Sequence, residues 1–457
     1  MKFDRKRWVP WTGDFALLRN YLATKSRPPW IPLKVLDAVL RGYGQIAFAN
    51  NSISGLLIVS ALAATSPGIF SASLGTALLG LVFSVVSGES ADKIQNGLTV
   101  FNPVLIGAVT YAVMPEVSDG SEILRLLLTI SCTLFSVYLV RSIGNDRIPP
   151  LTLPFNLTEL MLLFTLRISE GLSGVAPATD DWAREKWRRS TIVIHVADFS
   201  FTPNEDLKSD PRRFRRGCIP DISFTDCRLQ ENATGGVTLD AANGTGDALD
   251  WGMVFRGVIT SSSQLYAVDS VPAAAVVYLA ILVFSPTGCA FAFLGALLAN
   301  LIGLGLGVPR EIIYSGVRGF NGLLTGAGLG GFFFVLRVQT AMATVIGIVF
   351  STILEHIMIH VLGKVGLPAM SMPFVFTIWL FIGLRDSSSE VFPQPRNLSF
   401  HEKHRHEYLV YRRALKVNTV DTGSAVDISE GKAREEELDE IRSMKSCPSY
   451  RTSSGSR

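Results

Sequence analysis

The sequence predicts an all-α polytopic membrane protein made of two inverted-topology repeats of about five helices each, with half-helices and broken helices around a central pore. Three observations carry this expectation. Apolar runs at 54–87, 103–114, 124–141, 273–307 and 338–362 are the material of membrane helices, which need roughly 20 residues to span. The phrase NGLTVFNPVLIG at 96–107 returns as SGVRGFNGLLTG at 315–326, sharing Gly97/Gly316, Phe101/Phe320, Asn102/Asn321, Leu105/Leu324 and Gly107/Gly326 at a separation of 219 residues (316 against 97). Prolines and glycines also fall beside or inside the apolar runs, where unbroken helix would be the simplest choice.

Composition agrees. Of 457 residues, 48% are hydrophobic and only 18% charged, against roughly 25% charged in soluble domains. The formal net charge of +3 is too small to argue for nucleic-acid binding. Lys2, Arg5, Lys6 and Arg7 are followed by polar and aromatic residues, not by the apolar core of a signal peptide. Insertion is therefore expected to rely on the internal helices. Cys132 and Cys289 lie in apolar runs and read as small buried hydrophobes, and Cys447 lies in the tail.

Five segments are expected: a cytosolic N-terminal segment at 1–30, a first membrane repeat at 31–170, a polar extracellular loop at 171–250, a second repeat at 251–385, and a disordered cytosolic tail at 386–457. The loop carries the sequons Asn232-Ala-Thr and Asn243-Gly-Thr, and Cys218 and Cys227 can pair if it is outside. Its arginines argue the other way, but the positive-inside rule is counted over short loops. The tail is charged and Ser-rich, too poor in apolar residues to fold alone. Both basic termini are placed together in the cytosol, which requires an even number of crossings.

The 219-residue offset extends beyond the opening phrase. Gln45 maps to Gln264, Ser66-Pro67 to Ser285-Pro286, and PPLTLPFNLTEL at 149–160 to PAMSMPFVFTIW at 368–379. The register slips by one residue near Leu74-Gly75 and Leu294-Gly295 and then recovers. If the central loop is outside and both termini inside, each copy crosses an odd number of times, so the copies are inverted. Such repeats place a solute site near the bilayer midplane, where broken helices meet. Pro149, Pro150 and Pro154 are expected to interrupt the closing helix of the first copy, and Pro368 and Pro373 that of the second.

Candidate lining residues follow from the duplicated polar positions. Gln45 and Gln264 each place an amide in an apolar context, which is expensive unless it is paired or wet. Thr152 and Ser371 are paired hydroxyls flanked by prolines, with back-bonding to a helix carbonyl as the plainer reading. Asn102 and Asn321 read more readily as caps of short half-helices than as solute contacts. These groups are neutral, and Phe48, Phe101 and Phe320 lie near them in sequence. A flat, amide-like solute suits such a lining, because stripping an amide of water without replacement costs on the order of 2–7 kcal/mol. No catalytic constellation, cofactor or metal is expected, and the chain is not read as an enzyme.

These residues resemble the urea transporter family over roughly 30–170 and 250–385. The matching phrases are RGYGQIAFANNSISGLLI, the duplicated Gly-x-x-x-Phe-Asn-x-x-Leu-x-Gly motif, and LTLPFN with its partner MSMPF. The resemblance implies passive, channel-like conduction of urea and close analogues through one pore per subunit of a homotrimer in a lipid bilayer, most simply the plasma membrane. It implies that Gln45 and Gln264 sit near two mouths, that Thr152 and Ser371 lie at the narrow centre, and that Phe48, Phe101, Phe320, Leu105 and Leu324 shape an apolar slot. This chain has Ser371 where the family usually has Thr, and Ala267 where a partner to Phe48 would stand. Ser270-Val271, beside Asp269, replaces Asn-Pro, and ITSS is expected to lengthen the segment before Gln264.

Two rival readings stand beside this one. An ion- or proton-coupled carrier of a small amide-like solute needs a titratable group in the pathway. Glu159, Glu355, His356 and His360 are available, but none recurs at the offset, and a place at a subunit interface or the headgroups is the plainer reading. A metalloenzyme built on Glu355, His356 and His360 lacks both the HExxH order and an evident third ligand.

Overall fold

The computed structural model describes residues 11–25, 27–117, 122–144, 148–173, 249–384 and 391–421. The central sequons, Cys218 and Cys227 lie outside the described residues. The chain divides into two compact units, Met1–Ala197 with Gly252–Arg457, and Asp198–Trp251. The helices belong to the first, save the opening residue of one.

In chain order, α1 spans Ala16–Ala23, α2 Ile31–Ile46, α3 Ser52–Thr65, α4 Pro67–Val86, α5 Ala91–Gln95, α6 Phe101–Val117, α7 Glu122–Ile143 and α8 Leu153–Ser173. Beyond the central stretch follow α9 (Trp251–Thr260), α10 (Val271–Phe284), α11 (Pro286–Gly305), α12 (Arg310–Tyr314), α13 (Phe320–Leu329), α14 (Val338–Gly363), α15 (Met372–Ile382) and α16 (His401–Asp421). Among the described residues, α4, α11, α14 and the stretch Ile123–Ile143 of α7 are long and apolar enough to cross a membrane.

The duplication is visible helix by helix. α3 and α10, α4 and α11, and α5 and α12 begin and end 219 residues apart, and so do the starts of α6 and α13 and of α8 and α15. Since α4 and α11 have equal length and one offset, the apparent register slip near Leu74 and Leu294 is not an insertion. Gly97 and Gly316 open the repeated phrase because the chain turns there with φ +69° and +82°. A Cβ at Gly97 would meet the Gly42 nitrogen at 2.4 Å, and one at Gly316 the Gly257 carbonyl at 2.5 Å. Each glycine thus lets a re-entrant corner press against α2 or α9.

The prolines do not interrupt the closing helices; they begin them. Pro154 and Pro373 are second residues of α8 and α15, where the missing N–H would have had no intrahelical partner anyway. ITSS does not lengthen the second copy either. The offset is unbroken, but what is continuous helix in α2 becomes α9 followed by a 3-10 turn at Ser263–Tyr266. Thr260 and Ser261 donate back to the carbonyls of Arg256 and Gly257, and Ser262 and Ser263 to those of Ile259 and Thr260. Four successive hydroxyls competing for main-chain acceptors favour departure from regular helix.

The two copies are inverted. The C-terminal end of α4 lies beside that of α7, with Arg141 donating to the Ser87 carbonyl at 2.9 Å, and the chain then runs through α5 to Asn96, whose carbonyl accepts from Gln45. The same end holds both described terminal segments. Arg41 donates to the Asp14 and Asn50 carbonyls, and Lys403 and Ser399 both reach the Asp14 carboxylate. α11 starts at this end, where Glu402 accepts from the Ser285 hydroxyl and the Thr287 N–H, each at 2.8 Å. Fifteen residues later, roughly 22 Å along the axis, Asn300 donates to Ser261 near Gln264. So α4 runs towards the Gln45 end and its counterpart α11 away from it, with Gln264 at the opposite end.

Part of the expected disordered tail is ordered. Polar α16 sits against the second copy: the His401 ring donates to the Ala327 carbonyl at 3.1 Å, and His404 Nδ1 to the Gly331 carbonyl at 2.9 Å. His404 Nε2 accepts the Ser399 N–H at 2.7 Å, so only the neutral ring satisfies both contacts. Burial pushes His401 down to about 4 and His404 below the usual histidine range; Asp14, Glu402 and Lys403 are the charged neighbours. A released ring takes up a proton near pH ~6.5, so docking is unaffected above that and weakens as pH falls towards 4. Amide exchange in 401–413, corrected for its intrinsic pH dependence, is expected to speed up from about pH 7.5 to about pH 5. Unchanged protection across that range would refute it.

Candidate functional site

Two half-helices start head to head inside the molecule. The N-termini of α8 and α15 meet where the Thr152 and Ser371 hydroxyls stand 2.8 Å apart. The residues before them, Leu151 and Met370, have left-handed backbones with φ 49° and 46°, a conformation that costs of order 1–3 kcal/mol in a non-glycine residue. Its recurrence in both copies marks this crossing as a constrained part of the fold.

Asn102 and Asn321 hold that geometry. Asn102 donates to the Leu151 carbonyl at 3.2 Å and accepts the Phe155 N–H at 3.2 Å. Asn321 does the same with Met370 and Phe374, at 3.0 and 3.4 Å. Both are fully buried. They do not cap α6 and α13, on which they sit; they satisfy the first turn of a neighbouring helix, whose N–H groups have no intrahelical acceptor.

The two ends differ. Gln45 donates to the Asn96 carbonyl at 3.1 Å and Gln264 to the Ser315 carbonyl at 3.0 Å, contacts related by the repeat. Phe48 and Ala267 share a left-handed backbone, φ 59° and 56°, but only Phe48 carries a ring. It packs on Phe332 at 4.9 Å and on Phe333 and Phe374 at 5.8 Å between centroids. Leu105 and Leu324 are buried in the same core, with Phe101 and Phe320 half-buried against it. At the first end, buried Arg41 is paired with Asp37 at 3.0 Å; at the second, Thr260 replaces it, and Arg256 pairs with Asp269 at 2.8 Å.

The acidic candidates are placed differently from the expectation of an interface or headgroup position. Glu159 is fully buried, and the Thr110 hydroxyl lies 3.1 Å from each of its carboxylate oxygens. Glu355 is buried 3.7 Å from the Arg318 guanidinium, which also reaches His356 Nδ1 at 3.0 Å. The positive charge of Arg318 occupies the ground a cation would need. His360 alone of the four is exposed. Among the described residues, no group of three or more His, Cys, Asp or Glu is arranged to hold a metal ion.

Sequence reasoning missed Asn156, Asn96 and the Phe332–Phe333–Phe374 cluster. Asn156 accepts both the Ser371 N–H, at 3.2 Å, and the Ser371 hydroxyl, at 3.1 Å. An amide inside apolar α8 was the available signal, since such a group demands a partner within a membrane. Comparing repeats concealed it, because its counterpart is Val375.

A sequence profile described as "Urea transporter" matches residues 36–199 and 225–386. Curated relatives include "Urea transporter 1" of Capra hircus, 27% identical over 412 residues that cover 87% of this chain and 88% of the relative. "Urea transporter 1" of Rattus norvegicus is 25% identical over 418 residues, covering 88% and 90%.

Replacing either clamp, Asn102→Ala or Asn321→Ala, leaves a buried carbonyl and a buried N–H without their partner. Each substitution is expected to destabilise the protein by roughly 1–3 kcal/mol per orphaned group, measurable as a lowered Tm of similar size for both. A Tm unchanged in either variant would show that the clamp does not bear on stability.

Proposed function

The chain belongs to the urea transporter family and carries urea across a membrane, and we propose that urea moves passively between its two inverted copies, past the Thr152–Ser371 pair. The observation that carries this reading is the meeting of two uncharged, repeat-related hydroxyls at the crossing of α8 and α15. Thr152 and Ser371 keep 6% of their surface accessible, whereas Asn102 and Asn321 keep none. A planar solute passing there donates its own N–H groups to the lone pairs of the two hydroxyl oxygens. That offsets part of the roughly 2–7 kcal/mol needed to desolvate an amide.

The lining then consists of Gln45 and Gln264 at the mouths, Thr152 and Ser371 at the centre, and Phe48, Phe101, Phe320, Leu105 and Leu324 along an apolar slot. Asn102 and Asn321 support the slot from behind. Two helix N-termini aimed at one point each contribute roughly half a positive charge, which disfavours cations and supports a passive pore over an ion-coupled carrier. Glu159 and Glu355 are engaged by Thr110 and Arg318, which argues against either as a coupling group. One pore per subunit of a homotrimer, a plasma-membrane location, cytosolic termini and an extracellular 171–250 segment complete the proposal. Both described terminal segments lie at the Gln45 end, in keeping with a shared side.

Urea flux into vesicles reconstituted with pure protein tests this. Thr152→Val is expected to lower flux by roughly tenfold or more, the size of losing a buried acceptor, and Gln45→Ala to lower it less. Flux in the parent is expected to ignore sodium gradients, pH and membrane potential. Ion-dependent uptake would assign the chain to the coupled carriers instead, and an indifferent Thr152→Val would move the route elsewhere.

A further inference from the structure

We propose that Asn156 is a positioning residue that fixes the direction of the hydroxyl protons at the Thr152–Ser371 crossing, so that the two hydroxyls turn oxygen lone pairs, and not their protons, to the solute. This rests on the reading that urea passes this pair.

The assignment of protons follows from donors that have no alternative. A backbone N–H can only donate, so the Asn156 atom facing the Ser371 nitrogen at 3.2 Å is its oxygen. The same oxygen lies 3.1 Å from the Ser371 hydroxyl, which must therefore donate to it. With the Ser371 proton so used, the 2.8 Å contact between the hydroxyls takes its proton from Thr152. The result is a directed chain from Thr152 to Ser371 to Asn156. The Asn156 NH2 group points back to Thr152 Oγ1 at 3.5 Å, which further discourages reversal.

Three main-chain donors at this crossing are engaged in the same way. Phe155 N–H goes to Asn102, Phe374 N–H to Asn321 and Ser371 N–H to Asn156. Two helix starts would otherwise present a cluster of free N–H groups, a site for anions or carbonyl oxygens. With those three donors engaged by three amides, the Thr152 and Ser371 oxygens keep lone pairs to receive a solute's N–H groups. Urea carries N–H donors on both of its flanking nitrogens and can be received from two sides; an amide with one nitrogen can be received from one.

The repeat makes the claim specific. Thr152 and Ser371, Asn102 and Asn321, and Leu151 and Met370 are paired across the copies, but Asn156 faces Val375 at the same offset. One amide on one side is what gives the hydroxyl chain a single direction. Amides on both sides would set the two protons against each other, and amides on neither would leave them free to turn.

The test compares urea with acetamide, a planar solute of similar size with one NH2 group, in vesicles holding the full-length protein, after subtracting leakage through protein-free vesicles. Asn156→Val is expected to lower urea flux about tenfold and to reduce the preference for urea over acetamide. Combining it with Val375→Asn, which moves the amide to the other copy and reverses the chain, is expected to restore that preference. An unaltered urea-to-acetamide ratio in Asn156→Val, whether or not total flux falls, overturns the inference, as does a double variant that assembles like the parent yet restores nothing. Where the double variant does not assemble, the ratio in Asn156→Val decides. Thr152→Val measured alongside keeps the two ideas apart: if it leaves flux intact, the route itself is wrong, whereas an effect there with none in Asn156→Val removes only the role of Asn156.

Discussion

A helix that starts inside a bilayer has N–H groups that neither water nor lipid can satisfy, and each one left bare costs several kcal/mol. Everything at the centre of this protein depends on how that constraint is met. Asn102 and Asn321 reach across to the first turns of α8 and α15 and also hold the carbonyls of the left-handed residues Leu151 and Met370. A single side chain thereby meets a donor, meets an acceptor and holds a strained backbone in place. The clamps thus hold the starts of both half-helices, and with them the Thr152–Ser371 contact, in place.

The duplication supplies the frame, and departures from it supply the chemistry. The Gln45 end has an aromatic cluster around Phe48, a buried Arg41–Asp37 pair and Asn96 as a hub for Gln45, Asn50 and Arg19. The Gln264 end has Ala267, a run of buried hydroxyls and an Arg256–Asp269 pair. Both ends keep the same backbone turn, with φ 59° and 56°, so the main chain tolerates wide changes in the side chains it presents. On the route proposed here, solutes entering from the two sides meet different surfaces before reaching a common centre.

The described terminal segments are tied to the first end. Asn51 takes the Trp11 and Gly13 carbonyls, Asp14 takes Ser399 and Lys403, and His401 lies against Phe332, which in turn packs on Phe48. The polar composition of α16 hid this arrangement. Its anchors are a few histidines and one glutamate meeting particular carbonyls and N–H groups, and that pattern leaves no hydrophobic periodicity to read.

The sequence alone determined the class, the duplication and the identity of the paired positions, because spanning helices must be apolar over their whole length and a copied unit keeps its spacing. Gly97, Gly316, Gln45, Gln264, Thr152 and Ser371 were all legible for that reason. Tertiary structure alone decided what each polar group faces. Asn102 caps a helix far from it in sequence, prolines begin helices instead of interrupting them, ITSS bends the chain without lengthening it, and Glu355 turns inward to Arg318. Asn156 escaped notice because its partner, Ser371, lies 215 residues away. A hydrogen bond depends on distance and direction in space, and in a membrane protein whose halves are inverted, spacing along the chain carries no record of either.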